Sequence, residues 1–508
     1  MPQIRVHEKA LAHLSRGLYR SPASAIRELV SNAWDARART VRINTNYPNF
    51  LQISVQDDGD GFTKDEFVQL MQGGIGNSEK RSQGAKVIER PVIGRLGIGL
   101  LGVAQICPSF TIRSQTEEGE GFRARVVLYD LLKEKLDKDD DTVVKHDIID
   151  IGTFELEKFQ PEKGKKGTLI IGDDVHPTFT RAFRDSLSFE KFKKPPLDWA
   201  KALRIVSRVH SLQELGDYWR LLWELSACCP IPYISASSLP SGVVAADQRR
   251  LENYDFKVIV DGIQLAKPVA LRSNPGGYTT KRIEAQKQKV YGVDLSFHGY
   301  IVVQEGLQLK PDELRGILIR VKDVAIGYYD QSMLDYRSNE GPRSRWLTGE
   351  IFVDSGLEDA LNIDRDSFNR FHPEFRAIQE YVHELLKKDI FPRVYQQIDV
   401  RTAARHQSKS RVRRRELAKV LSKAVEKPVS LTYVSRSGSN DLQKVTVKNK
   451  AGKANVSLPD PEELETKRKN QQLASSILAI FEVSMREKGL ERQRETFGKL
   501  LLDFLAHW

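Results

Sequence analysis

An α/β chain of several domains is what the sequence predicts, and three observations lead there. Glu28, Asn32 and Asp35 fall at i, i+4 and i+7 of the run from Ile26 to Ala36. At about 100° per residue they share one helical stripe roughly 60° wide. Two segments with strand-like alternation follow, Thr40-Val41-Arg42-Ile43 and Leu51-Gln52-Ile53-Ser54-Val55. The second runs straight into Asp57-Asp58-Gly59-Asp60-Gly61, an acidic glycine turn at a strand end. A length of 508 residues suits about three domains.

Taken in order, residues 1 to 20 place Ile4, Leu11, Leu14 and Leu18 near helical spacing and are expected to form an amphipathic helix. Ser21-Pro22 supplies an N-cap and an N1 proline for the next helix. There Ile26, Leu29, Val30 and Ala33 flank the polar stripe, so the inward side carries two carboxylates and an amide. A buried carboxylate needs an ion, water or a ligand beside it. At the acidic turn, Gly59 and Gly61 allow a ligand to approach closely, although Asp-x-Gly-x-Gly alone also occurs as a surface turn. Residues 62 to 93, with Gly73-Gly74-Ile75-Gly76-Asn77-Ser78, read as a mobile loop or lid. Gly94, Gly97 and Gly99 then open an expected helix and expose backbone N–H groups where phosphate is commonly held. Their order is not the Rossmann GxGxxG, and no GxxxxGK[ST] is present.

This succession, ended by Gly167-Thr168-Leu169-Ile170-Ile171, resembles the GHKL ATPases: gyrase, the ninety-kilodalton heat-shock chaperones, histidine kinases and MutL. The resemblance implies a Bergerat-type α/β sandwich that binds ATP and Mg²⁺ and hydrolyses the ATP. It implies Glu28 as general base, Asn32 as Mg²⁺ ligand and Asp57 as acceptor for the adenine amino group. Gly59 and Gly61 would line the adenine pocket, Gly94, Gly97 and Gly99 would cradle phosphates, and Thr168 would reach adenine through water. Asp35 would brace the site. A sensor kinase is disfavoured, because the nucleotide motifs begin near residue 28 with no room for a preceding phosphoacceptor helix.

Within that superfamily the chain looks most like the heat-shock branch. Arg27 to Ala33 and Ile93 to Gly99 are similar to its helix and phosphate loop. Val206 to Ser211, with Pro230-Ile231-Pro232, looks like the end of its N-terminal domain. Arg315 to Phe368 is similar to its α/β middle domain, a ribosomal S5 domain 2-like fold with an Asn-x-x-Arg catalytic loop. The match implies Arg365 as an arginine finger for the γ-phosphate, with Asn362 supporting the loop. The other reading of Arg365 is a surface arginine paired with Asp364 or Asp366. Between Pro230 and Arg315 the likeness fades, and after about residue 400 none with the chaperone dimerisation domain is found.

The remaining readings are local. Phe256 to Leu265 reads as a hairpin. Residues 377 to 425 are helical in period, with Ile378, Tyr381, Leu385, Leu386 and Ile390 on one face. Arg401 to Arg415 is basic without acidic residues or interleaved aromatics, and is either a nucleic-acid stripe or a solvated face. Val429 to Val434 and Lys444 to Lys448 alternate like two strands joined by a loop at 435–440. Residues 473–508 are helical, and Phe497, Leu500, Leu501, Phe504, Leu505 and Trp508 form an apolar stripe. That stripe packs on its own domain or meets a second copy as a homodimer. The expected domains are 1–235 for ATP binding, 236–400 as the middle domain and 401–508 as a small, mostly helical tail.

Composition bounds the rest. No run of 18 apolar residues is present, and the first eight residues lack a secretory h-region. Three cysteines without metal-ligand spacing suit a reducing cytosol. A formal net charge of +11 suits an anionic partner or a merely solvated basic surface. The expectation is therefore an ATP-driven conformational switch. It acts either on protein clients, as a chaperone would, or as a nucleic-acid clamp of the MutL or MORC kind in repair or defence.

Overall fold

Burial that alternates with period two organises the first sheet of the computed structural model. The residues described are 3–7, 22–72, 103, 106–118, 121–128, 148–160, 162, 164–185, 198–234, 242–269, 271, 277–305, 307–336, 344–362, 367–392, 412, 415–416, 418–419, 422, 428–434, 446–450 and 453–459. Nine strands form that sheet: β1 (Gln3–His7), β2 (Thr40–Asn44), β3 (Ile53–Asp57), β4 (Ser109–Gln115), β5 (Gly121–Leu128), β6 (Ile148–Lys158), β7 (Gly167–Gly172), β8 (Lys257–Val260) and β9 (Ile263–Gln264). Their order is β1-β6-β5-β4-β7-β3-β2-β8-β9, with β2 and β8 parallel. Val41 and Ile43 of β2, Phe110 and Ile112 of β4, and Phe122, Ala124 and Val126 of β5 are buried. Arg42, Arg123 and Arg125 between them are exposed, so one face meets the core and the other meets water.

The described α-helices are α1 (Pro22–Asp35), α2 (Lys64–Gln72), α3 (Pro177–Asp185), α4 (Trp199–Val206), α5 (Asp217–Cys228), α6 (Ala245–Asn253) and α7 (Pro373–Leu385). Helix α1 packs against α5, and their apolar residues share one core with the inward strand residues. Every residue of α5 except Asp217 and Arg220 is buried.

A helix can be buried so completely only if both sides are covered, and a second sheet covers the other side. It comprises β10 (Tyr278–Val290), β11 (Val293–Gln304), β12 (Gly316–Val321), β13 (Val324–Asp330) and β14 (Leu347–Ser355), in the order β10-β11-β14-β12-β13. Helix α5 packs on β13. Arg27 on α1 donates to Cys228 Sγ at 3.9 Å, and that thiol donates to Gly327 O on β13 at 3.8 Å. Glu350, fully buried, accepts two bonds from Arg320 at 2.6 and 3.0 Å and one from Tyr233 at 2.7 Å. All these elements belong to one unit, Met1–Tyr395; the second unit is Gln396–Trp508. In the second unit β15 (Val429–Val434) runs parallel to β17 (Lys453–Pro459), which pairs antiparallel with β16 (Thr446–Lys450).

Several sequence expectations need correction. The segment 3–7 is an edge strand, not part of an amphipathic helix, because Ile4 and Val6 alternate with Arg5 and His7 and pair onto β6. The stretch read as a lid from residue 62 begins with a helix, α2, whose Phe67 and Met71 enter the core. Thr63 and Glu66 cap it reciprocally: Glu66 Oε2 accepts from Thr63 N at 2.7 Å, and Thr63 Oγ1 accepts from Glu66 N at 3.2 Å. The 256–265 hairpin forms, turning at Asp261-Gly262 with φ of +47° and +85°. It extends the first sheet beyond residue 235 rather than standing in the middle sheet. In the C-terminal part β17 lies between the two expected strands, so the described residues there include a three-stranded sheet. The apolar stripe at 497–508 and nearly all of the basic run at 401–415 lie outside the described residues.

Candidate nucleotide site

Helix α1 presents Glu28, Asn32 and Asp35 in sequence along its length. Glu28 is buried at 7 % exposure, while Asn32 and Asp35 are half-buried. The acidic turn docks on the end of this helix, where Ala36 O accepts from Asp60 N at 2.8 Å. Arg39 and Thr40 donate backbone N–H groups to Asp58 Oδ1 at 2.7 and 2.8 Å, fixing the turn to the start of β2. Asp60 pairs with Arg37 and, at 3.1 Å, with Lys166. Two of the three carboxylates are thereby committed to holding the turn.

Asp57 is different. Its Oδ1 accepts from Gly59 N at 2.9 Å and from Thr168 N at 3.3 Å. Burial outweighs these bonds and pushes its pKa up to about 6, with Asp58 and Asp60 adding to the effect. Such a group leaves an unpaired charge at a cost unless a donor comes to lie beside it. Thr168 is buried, and its Oγ1 lies 3.1 Å from Ser114 Oγ, which also accepts from Phe62 N at 3.0 Å. Asp57, Thr168, Ser114 and the turn thus form one connected polar group over β3, β4 and β7.

The glycines of the turn have a reason that the sequence did not reveal. A Cβ at Gly59 would lie 2.7 Å from Ala36 O, and one at Gly61, whose φ is +66°, would collide with Gln115 O. Gly167, at φ +123°, would collide with the Asp57 carbonyl. Close approach of chain to chain explains these three positions without invoking a ligand. Ser114 was missed altogether. Its signal was a hydroxyl at an inward position of the Phe110, Ile112, Ser114 alternation.

Glu28, Asn32, Asp35, Asp57, Gly59, Gly61 and Thr168 are therefore all placed, and α1, the turn and β7 meet. Gly94, Gly97, Gly99 and Arg365 lie outside the described residues. The ends flanking Arg365 are tied together: Leu361 bridges Phe368, and Asn362 Nδ2 donates to Ser367 Oγ at 2.8 Å.

A mixed sheet, a polar stripe on α1 and a partly buried aspartate at a Gly-x-Gly turn fit a GHKL ATPase domain. Residues 19–160 match the family model for histidine kinase-, DNA gyrase B- and HSP90-like ATPases, which places this segment in the GHKL ATPase superfamily. The chain is also similar to a protein of Herpetosiphon aurantiacus provisionally named a type II restriction enzyme, HgiDII. The identity there is 34 % over 113 residues, 22 % of this chain and 18 % of that protein. A second similarity is to the DNA mismatch repair protein MutL of Lactobacillus delbrueckii subsp. bulgaricus, 47 % identical over 45 residues. That stretch covers 9 % of this chain and 7 % of MutL. The chain therefore spans less than a fifth of the length of either relative. The family model covers the heat-shock branch together with gyrase B and the histidine kinases and does not single it out.

Proposed function

We propose that the chain is a Mg²⁺-dependent ATPase whose cycle drives a conformational switch. The observation that carries this reading is Asp57, a carboxylate held by two backbone donors where burial raises its pKa to about 6. It is an acceptor waiting for the adenine amino group, with Thr168 and Ser114 beside it for water-mediated contact. Glu28, one turn before Asn32 on α1, orients the attacking water and takes its proton. Asn32 would hold Mg²⁺, which when bound would neutralise phosphate charge. A single amide would suffice, because Mg²⁺ keeps several waters and is commonly bound through few protein groups plus substrate phosphates. Asp35 braces the end of α1. Gly94, Gly97 and Gly99 cradle the phosphates, and Arg365 adds charge at the γ-phosphate. Phosphoryl transfer to water asks for little beyond such positioning and charge neutralisation.

For the output we favour nucleic acid over protein clients. One relative is named a restriction enzyme and the other a DNA mismatch repair protein, and the chain carries a net charge of +11. Chaperone-like remodelling remains the second reading, supported by the Arg315–Phe368 resemblance. The test of the ATPase reading separates binding from chemistry. Glu28→Gln should keep ATP bound and slow hydrolysis by about 10²–10⁴-fold. Arg365→Ala should slow turnover while sparing affinity. Unchanged turnover in the Glu28 variant would remove the general base from the mechanism.

A further inference from the structure

We propose that duplex DNA is held through its phosphodiester backbone in an open groove between the start of β2 and α6, with Arg39 and Arg249 as the contacts. The inference rests on the nucleic-acid reading of the output and gives it a location. The groove measures about 890 Å³ and is lined by those two arginines, Arg250, Asn253, Tyr254 and Asp255, together with Ala246.

Its charge is one-sided. Asp255 is the carboxylate in the lining, and it is paired with Lys257 at 3.0 Å. Arg39 and Arg249 are both exposed, and neither forms an ion pair among the described residues. Arg249 Nε donates to Ala245 O at 3.3 Å, one turn back on α6, which steadies the side chain and leaves the rest of the guanidinium for another partner. Arg250 is committed to the floor: it bonds Asp323 at 2.7 and 3.2 Å, pairs with Asp247 at 3.2 Å, and lies over the Phe352 ring, so it shapes the groove and does not offer a free fork. Exposed arginines usually settle beside carboxylates of their own surface. Two that do not, lining one groove, present planar forks matched to phosphate oxygens.

The walls are rigid enough to keep those forks in place. Arg39 is anchored through its backbone N–H to Asp58, in the same turn that presents Asp57. Tyr254 is wedged edge-on against Trp34 of α1, with ring centroids 5.0 Å apart, and its hydroxyl donates to Asp323. The tyrosine is thus committed to the wall and not free to stack on a base, so the groove reads backbone and not sequence. One side of the groove is continuous with the nucleotide turn, and the other is fastened to the second sheet through Asp323.

The test is a fluorescence-anisotropy titration of the full-length protein with a short labelled duplex across a salt series. Arg39→Gln combined with Arg249→Gln should weaken binding by about tenfold or more at physiological salt. It should also reduce the salt slope by about 2, since each phosphate contact contributes about 0.9. Melting temperature and ATP affinity should be unchanged. If the intact protein fails to bind duplex even at low salt, the nucleic-acid reading falls and the groove with it. If it binds and the double variant binds with the same slope, the groove alone is wrong. Retention of single-stranded RNA in place of duplex DNA would overturn the assignment of the occupant.

Discussion

At the scale of single residues the protein keeps one carboxylate in a place where it costs stability. Below about pH 6 the folded protein binds a proton at Asp57 that the unfolded chain releases down to the ordinary carboxylate range. Stability from this group therefore falls as pH rises through that window, and the whole penalty is present above pH 6. Asp57→Asn keeps an acceptor oxygen for Gly59 and Thr168 and removes the charge. We expect it to stabilise the ligand-free protein at neutral pH by on the order of 1–3 kcal/mol while abolishing ATP binding. Thermal melts with and without nucleotide check both halves, and a lower melting temperature would contradict the first. Affinity for adenosine, which has no phosphate to titrate, should weaken in the intact protein as pH drops through about 6.

At the scale of elements, what could be read from the sequence depended on how local its cause was. The α1 stripe, strands β2, β3 and β7 and the hairpin over Phe256 to Leu265 are set by residues a few positions apart, and all were legible. Thr63 and Glu66 were equally local, yet the polar text around them hid a capped helix, α2. Other features depend on distant partners. The edge strand 3–7 exists because β6 lies beside it, and β17 was not anticipated between β15 and β16. The role of Ser114 appears only when β4 meets β7. The hairpin β8–β9 has a practical consequence for fragments. A chain ending at residue 235 loses Phe256, Val258, Val260, Ile263 and Leu265, all buried. At about 1.5–3 kcal/mol for each large side chain, that loss threatens the whole domain. We expect a fragment ending at residue 271 to melt cooperatively and well above one ending at residue 235. Equal melting temperatures would show that the hairpin contributes little.

At the scale of the molecule, we propose a homodimer formed through the apolar stripe that the sequence predicts at Phe497, Leu501, Phe504 and Trp508. Deleting residues 490–508 should give a monomer that still binds ATP. Light scattering decides the matter, and a monomeric mass for the intact protein at micromolar concentration would reject the pairing. The buried helix α5 adds a mechanical consequence. It touches α1 on one side and β13 on the other, and Cys228 links Arg27, the neighbour of Glu28, to Gly327. Two sheets clasped on a common rod have little play between them. When nucleotide stiffens α1, amide exchange should slow along Val324–Asp330 as well, far along the chain from α1 and the acidic turn. Replacing Cys228 by alanine should leave nucleotide affinity in place and weaken that distant response. The rod would then be less an inert piece of core than the drive shaft by which hydrolysis is felt in the second sheet.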